Sequence, residues 1–192
     1  MAWREVMVFL ASLARADGRI TAVADHASMF SAILPAYQAS VLQAAGRVSE
    51  VISHLPSVIQ HGDLFGGNLL VDGEHLTGVI DWATWSRAGT PGVDLLELYA
   101  NEIRHRKPAQ FASILASETW ASAEFLHFSA PYWPTVGVEP SRANLRAIAV
   151  AWWLTGMTTL LARPDRQALR ESAAWLSREV EEPLEWIGRS GQ

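Results

Sequence analysis

His61-Gly62-Asp63-Leu64-Phe65-Gly66-Gly67-Asn68, followed by the apolar run Leu69-Leu70-Val71, a turn at Asp72-Gly73 and a second apolar run ending in Ile80-Asp81-Trp82, decides how this chain reads. Three oxygen-bearing side chains stand at fixed offsets in it: Asp63, Asn68 five residues later, and Asp81 thirteen residues after that. A loop that turns back between Asp63 and Asn68, and a hairpin between Asn68 and Asp81, would bring all three to one end of a β-ribbon.

Moving a terminal phosphoryl group needs little covalent help from a protein. It needs a hydroxyl held in line, a base to take its proton and a cation to absorb charge on the phosphate oxygens. Asp63, on a loop tip, fits the base, because its carboxylate can reach a hydroxyl that belongs to another molecule. Magnesium takes hard oxygen ligands and keeps several waters, so one carboxylate and one amide oxygen beside nucleotide phosphates suffice; Asp81 and Asn68 supply them. Gly66 and Gly67 allow close approach within the loop. His61 reads as a structural residue whose ring hydrogen-bonds backbone and fixes the loop, in preference to a general base or a metal ligand.

Around this segment the 192 residues are 49% hydrophobic, include nine tryptophans and carry a net charge of −5. Such a composition suits one folded domain with a sizeable core and argues against disorder and against nucleic-acid partners. Arg104, His105, Arg106 and Lys107 form the sole basic cluster, read as a solvated helix end. The absence of cysteine removes disulfides and thiolate metal sites and suits a reducing, cytoplasmic setting. Residues 6–14 are apolar, but Glu5 cancels the positive start that a signal peptide needs. The longest uncharged stretch, Ala147 to Ala162, is shorter than the roughly 20 residues of a membrane span. It contains Thr155, Gly156, Thr158 and Thr159, so it reads as a buried helix and no membrane partner is expected.

Apolar periodicity predicts a mainly α fold. Residues 3–16 read as a helix stopped at Asp17-Gly18, and a loose stretch runs to about Pro35. Val41, Ala45, Val48, Ile52 and Leu55 define the buried stripe of a helix over 36–55. Ser57 to Gln60 reads as a short strand, and Asn68–Val71 with Leu76–Asp81 as the hairpin. Helices are predicted over 92–106, 108–119, 141–163 and 165–186, with an irregular stretch at Pro131-Tyr132-Trp133-Pro134. Trp152, Trp153, Trp175 and Trp186 are predicted to fill the core between the last two helices. Residues 1–192 read as one domain: a helical lead-in (1–56), the loop and hairpin segment (57–96) and a helical subdomain (97–192).

HGDLFGGN-LLV with the later LTGVIDW resembles the catalytic loop and metal-binding segment of the aminoglycoside phosphotransferase and choline-kinase-like family, relatives of the protein kinases. The resemblance implies that Asp63 is the catalytic base and that Asn68 and Asp81 hold Mg2+. It extends over Gly89 to Leu96, where the family's Pro-x-x-Asp-Leu pattern makes Asp94 the residue that braces the catalytic loop. Taken alone, Asp94 also reads as a helix N-terminal residue that satisfies free amides. Gly62, where many protein kinases carry arginine, and Trp82, where they carry the Phe of Asp-Phe-Gly, are similar to the small-molecule branch. The implied fold is the C-terminal lobe of a protein-kinase-like fold, mainly α with a small β-hairpin. The implied reaction moves the γ-phosphate of ATP or GTP, with Mg2+, to a hydroxyl of a small-molecule alcohol.

Family members also carry an N-terminal lobe of five strands, with a glycine-rich loop and a phosphate-binding lysine. In this sequence the residues before His61 read as helical, and the single lysine, Lys107, lies beyond the metal segment. None of Arg4, Arg15, Arg19 or Arg47 follows a glycine-rich turn on a strand. The expectation is a C-terminal lobe of a longer kinase, inactive or very weak by itself, with no cofactor-binding residue identifiable outside the metal site. Apolar surface left by the missing lobe would favour self-association. Two alternatives stand beside it. One is a non-catalytic ligand- or partner-binding lobe. The other is a metal-dependent hydrolase using His61, Asp63 and Asp81, for which His75, His105 and His127 offer no second cluster. Glu97, Glu102, Glu118 and Glu124 either favour a cationic acceptor or form a charged helix surface.

Overall fold

The computed structural model describes residues 3–15, 18–106 and 110–189. Helix α1 (Trp3–Ser12) buries Val6, Met7, Leu10 and Ala11 along one stripe. It ends before residue 16, where its periodicity would carry it, because Ala14 and Arg15 extend as strand β1. Asp17 of the predicted stop lies outside the described residues. The stretch read as loose is helix α2 (Ala22–Ile33). Its buried positions are mostly small, Ala22, Val23, Ala27 and Ser31, around the single large anchor Phe30, so its apolar period is faint in the sequence. A 3-10 turn at Pro35–Tyr37 leads into α3 (Gln38–Ile52), where Val41, Ala45, Val48 and Ile52 are buried in the predicted stripe.

Strand β2 (Ser57–Gln60) pairs antiparallel with β1, Val58 opposite Ala14. The hairpin follows as β3 (Leu69–Asp72) and β4 (His75–Val79), with Asp72 opposite His75. Its loop is therefore Gly73-Glu74, inside the predicted connection of residues 72–75, with Gly73 at φ 60° in the first loop position, where a type II′ turn requires Gly. Glu5 of α1 fastens the hairpin: its carboxylate accepts the Leu76 N–H at 2.6 Å and lies 3.0 Å from His75 Nδ1. Those two contacts hold Glu5 below the usual carboxylate range. A further strand, β5 (Ser86–Gly89), carries no sequence signal and completes an antiparallel sheet in the order β1-β2-β5. β2 is its middle strand, so the chain enters the His61 loop from a fixed point.

Helices α4 (Val93–Arg106), α5 (Phe111–Ala116), α6 (Ala123–Ser129) and α7 (Tyr132–Val136) follow. The last occupies the stretch predicted to be irregular. Pro134 is tolerated there because it falls in the first turn, where an N–H would have no partner inside the helix. Helix α8 (Arg142–Ala162) is the centre of the core and touches α2, α3, α4 and α5. Among the described residues it is the one helix long and apolar enough to cross a membrane, yet 72% of its most apolar window is buried inside the protein. Trp152 packs on Phe111 at 5.2 Å and Trp153 on Phe30 at 5.9 Å, both buried.

The single helix predicted after Pro164 is instead a chain of short pieces. They are a 3-10 turn at Pro164–Arg166, α9 (Gln167–Glu171), α10 (Ala173–Leu176), a π-turn at Ser177–Glu181 and α11 (Glu182–Arg189). Ser172 causes one of these breaks, since its side chain caps the next segment by accepting the Trp175 N–H. Trp175 and Trp186 consequently lie half-buried at the margin of the core and not between two long helices.

Candidate active site

Strand β2 delivers the chain into a loop held from behind by the first turn of α4. Asp94 accepts the His61 N–H on Oδ2 at 2.6 Å and the Gly62 N–H on Oδ1 at 2.8 Å. Burial pushes its carboxyl up to about 6, against the pull of those two amides and of His61. Gly62 adopts φ 86°, and a Cβ there would lie 2.5 Å from the Thr84 carbonyl oxygen. Thr84 in turn donates its hydroxyl to the His61 carbonyl at 3.1 Å, tying the segment before β5 to the loop. Gly62→Ala is therefore expected to cost at least roughly 1–2 kcal/mol for the left-handed backbone alone, read as a lower Tm in a thermal melt. An unchanged Tm would show that the loop relaxes freely.

The His61 ring is buried, with Nε2 2.8 Å from the Ile80 carbonyl and Nδ1 accepting the Asp63 N–H at 3.3 Å. With Nδ1 as acceptor, Nε2 carries the hydrogen and donates it to Ile80. Both nitrogens are engaged by backbone, and the ring lies 4.7 Å from that of Trp82. His61 thus has no nitrogen left to ligate a metal, which removes it from the hydrolase ligand set.

Asn68 is buried and donates Nδ2 to the Asp63 carbonyl at 2.9 Å, leaving its amide oxygen open as an acceptor. Asp63 is consequently locked through both of its peptide groups while its side chain stays one-third exposed. The Asn68 carbonyl accepts the Ile80 N–H at 3.0 Å, so the hairpin sets Asp81 one residue beyond its pairing with Asn68. Asp81 sits at φ 61°, a left-handed conformation that Asp tolerates better than most residues and that proteins retain chiefly at functional positions.

Asp63 and Asp81 line one cleft of about 680 Å³. Asn68 is not on its wall; it lies buried beneath Asp63. The other walls bring in residues that the sequence did not mark: Asp25 and His26 from α2, Trp85 before β5, and Arg163 after α8. Burial lowers the His26 pKa, partly offset by Asp25, and its Nδ1 is buried without a partner. Arg163 reaches Asp63 Oδ2 at 3.4 Å.

Against protein families, residues 2–126 match the phosphotransferase enzyme family. The chain belongs to that family. The match spans α1 and reaches into α6, so the helical lead-in, which no motif tied to the family, is part of the shared pattern. No curated protein and no solved structure matches.

In this member of the family the acids read as favouring a cationic acceptor or as forming a charged helix surface do not line the cleft. Glu97 is largely buried, accepting Trp152 Nε1 at 2.5 Å and pairing with Arg104 at 2.5 Å, so it does not form part of a charged surface. Glu118 pairs with Arg142, and neither Glu102 nor Glu124 lines the cleft. Arg104, read as part of a solvated helix end, is turned inward over Phe111 at 4.8 Å. The side chains of His105 and Arg106, and all of Lys107, lie outside the described residues. Among the described residues no three or more His, Cys, Asp or Glu side chains are grouped to hold a metal ion. The donor set at hand is the open Asn68 amide oxygen and the Asp81 carboxylate, which has no hydrogen-bond partner among the described residues. Two hard oxygens suit magnesium shared with a phosphate ligand better than they suit zinc.

Proposed function

We propose that the chain forms the acceptor and metal side of a small-molecule kinase, which moves the terminal phosphate of ATP or GTP to an alcohol. Asp63 carries this reading: its backbone is fixed from behind by His61 and Asn68, and its carboxylate faces the same open cleft as the unpaired Asp81. An Asp63 oxygen takes the proton of the acceptor hydroxyl. The alcohol oxygen bonds to the terminal phosphorus as the bond from phosphorus to the bridging oxygen breaks, and nucleoside diphosphate leaves. Asn68 and Asp81 would hold Mg2+, which when bound neutralises charge on the phosphate oxygens. Arg163 is the one cationic side chain on the cleft wall among the described residues, so little opposes the charge of a triphosphate. Weak nucleotide binding and slow turnover are expected of these 192 residues alone.

Incubation with γ-labelled ATP or GTP, Mg2+ and a panel of hydroxylated compounds should give slow transfer that EDTA stops and added Mg2+ restores. Mn2+ affinity, followed by electron paramagnetic resonance, should fall at least about tenfold in Asp81→Ala, since losing even an outer-shell partner of a metal ligand typically costs that much. Absence of transfer together with unchanged Mn2+ affinity in that variant would overturn the reading. Lost affinity without transfer would favour the lobe that binds without turnover.

A further inference from the structure

Arg163 stands at the C-terminal cap of α8, where a cationic side chain ordinarily turns back onto the last carbonyls of its own helix. That place is taken by Arg170, whose Nη1 donates to the Leu161 carbonyl at 2.5 Å. Pro164 follows directly, and a residue before proline is driven out of the helical region. Arg163 accordingly sits at φ −68°, ψ 129°, which ends the helix and releases its side chain toward the cleft. The guanidinium then meets Asp63 Oδ2, a partner one hundred residues away in sequence, with both side chains still partly open to solvent.

An exposed ion pair of this kind contributes little to stability. Its consequence is geometric, because a carboxylate on a loop tip otherwise turns freely about its side-chain bonds. We propose that Arg163 is a positioning residue for the base: it holds Oδ2 of Asp63 and leaves Oδ1 aimed at the acceptor hydroxyl. The proposal rests on the kinase reading above. Within that reading it gives the end of α8 a part in the reaction, although the family match ends at residue 126.

The test compares Arg163→Ala, Arg163→Lys, Asp63→Asn and the double variant Asp63→Asn/Arg163→Ala in the transfer assay, with melts of each. Arg163→Ala should lower kcat about ten- to a hundredfold, the size of a misplaced catalytic group. KM for the acceptor should hardly change, Tm should barely move, and Arg163→Lys should recover part of the loss. Added guanidinium should recover part of it in Arg163→Ala. In the Asp63→Asn background, Arg163→Ala should have no further effect, since a residue acting through Asp63 is silent once the base is gone.

An additive loss in the double variant would overturn the proposal and assign Arg163 to the phosphates. A raised acceptor KM at unchanged kcat would overturn it in favour of direct acceptor binding. A kcat that rises in Arg163→Ala, or is unchanged while Asp63→Asn is inactive, would also overturn it. Equal rates for Asp63→Asn and the unmodified chain would instead defeat the kinase reading itself, so the two failures are distinguishable.

Discussion

Asp63→Asn should reduce phosphoryl transfer by about two to four orders of magnitude while leaving the fold intact. The loop bonds at this residue run through its backbone, the N–H to His61 and the carbonyl to Asn68, and neither involves the carboxylate. The side chain makes a 3.4 Å contact with Arg163, and both groups are partly solvated. Losing such a pair costs about 0–1 kcal/mol, and the amide can still accept from the guanidinium. What the amide cannot do is take a proton. A loss of that size corresponds to about 2.7–5.4 kcal/mol of barrier, far more than any stability change expected here, so the two effects separate cleanly. A loose transition state, with little bond yet formed to the acceptor oxygen, would place the loss at the lower end. Steady-state kinetics beside thermal melts decide the matter. Wild-type kcat in the variant would remove Asp63 from the role of base, and a Tm fall of many degrees would show that the side chain is structural.

The loop itself was legible because its chemistry and its backbone demands lie close together in sequence. Gly62 supplies the positive φ beside Thr84, Asp63 and Asn68 share one turn, and the hairpin length sets Asp81 next to Asn68. The stripe of α3 was legible for a similar reason, since every buried position repeats at helical spacing. Elsewhere the deciding interactions are long-range. Helix α2 hides in the sequence because it packs through Ala and Ser against α3 and α8, and small residues carry almost no periodic signal. The two residues of β1 extend only because β2 is there to pair with them. The cleft shows the limit most plainly: Asp25, His26 and Arg163 come to Asp63 from two helices that flank the motif at a distance, and no spacing rule relates them. Arg163-Pro164 was visible as a helix end, but the direction in which the arginine turns depends on Arg170 already occupying the cap.

Asp94→Ala should destabilise the protein by about 2–6 kcal/mol near pH 4, because two buried N–H groups, those of His61 and Gly62, lose their acceptor at about 1–3 kcal/mol each. The size of the effect should depend on pH, and its sign follows from the direction of the Asp94 shift. Burial raises the folded-state carboxyl from an ordinary value of 3.8 to about 6. The folded protein therefore binds this proton more tightly than the unfolded chain does. Stability from Asp94 is present in full below pH 3.8 and is lost as pH rises through about 6, a change of about 3 kcal/mol at 1.36 kcal/mol per pH unit. The alanine variant lacks this group, so its deficit should shrink by a similar amount between pH 4 and pH 7. Urea melts at the two pH values measure it directly. A deficit that grows toward neutral pH would show instead that the two amides outweigh burial and hold the carboxyl below 3.8 in the folded state. Hydrogen exchange locates the damage: the His61 and Gly62 amides should exchange much faster in the variant at either pH, while those of α8 change only with global stability. Asp63 is the next residue along the chain, so loosening these two amides frees the proposed base even where the fold survives. The neutral-pH variant, the least destabilised, should therefore still have lost most of its transfer activity.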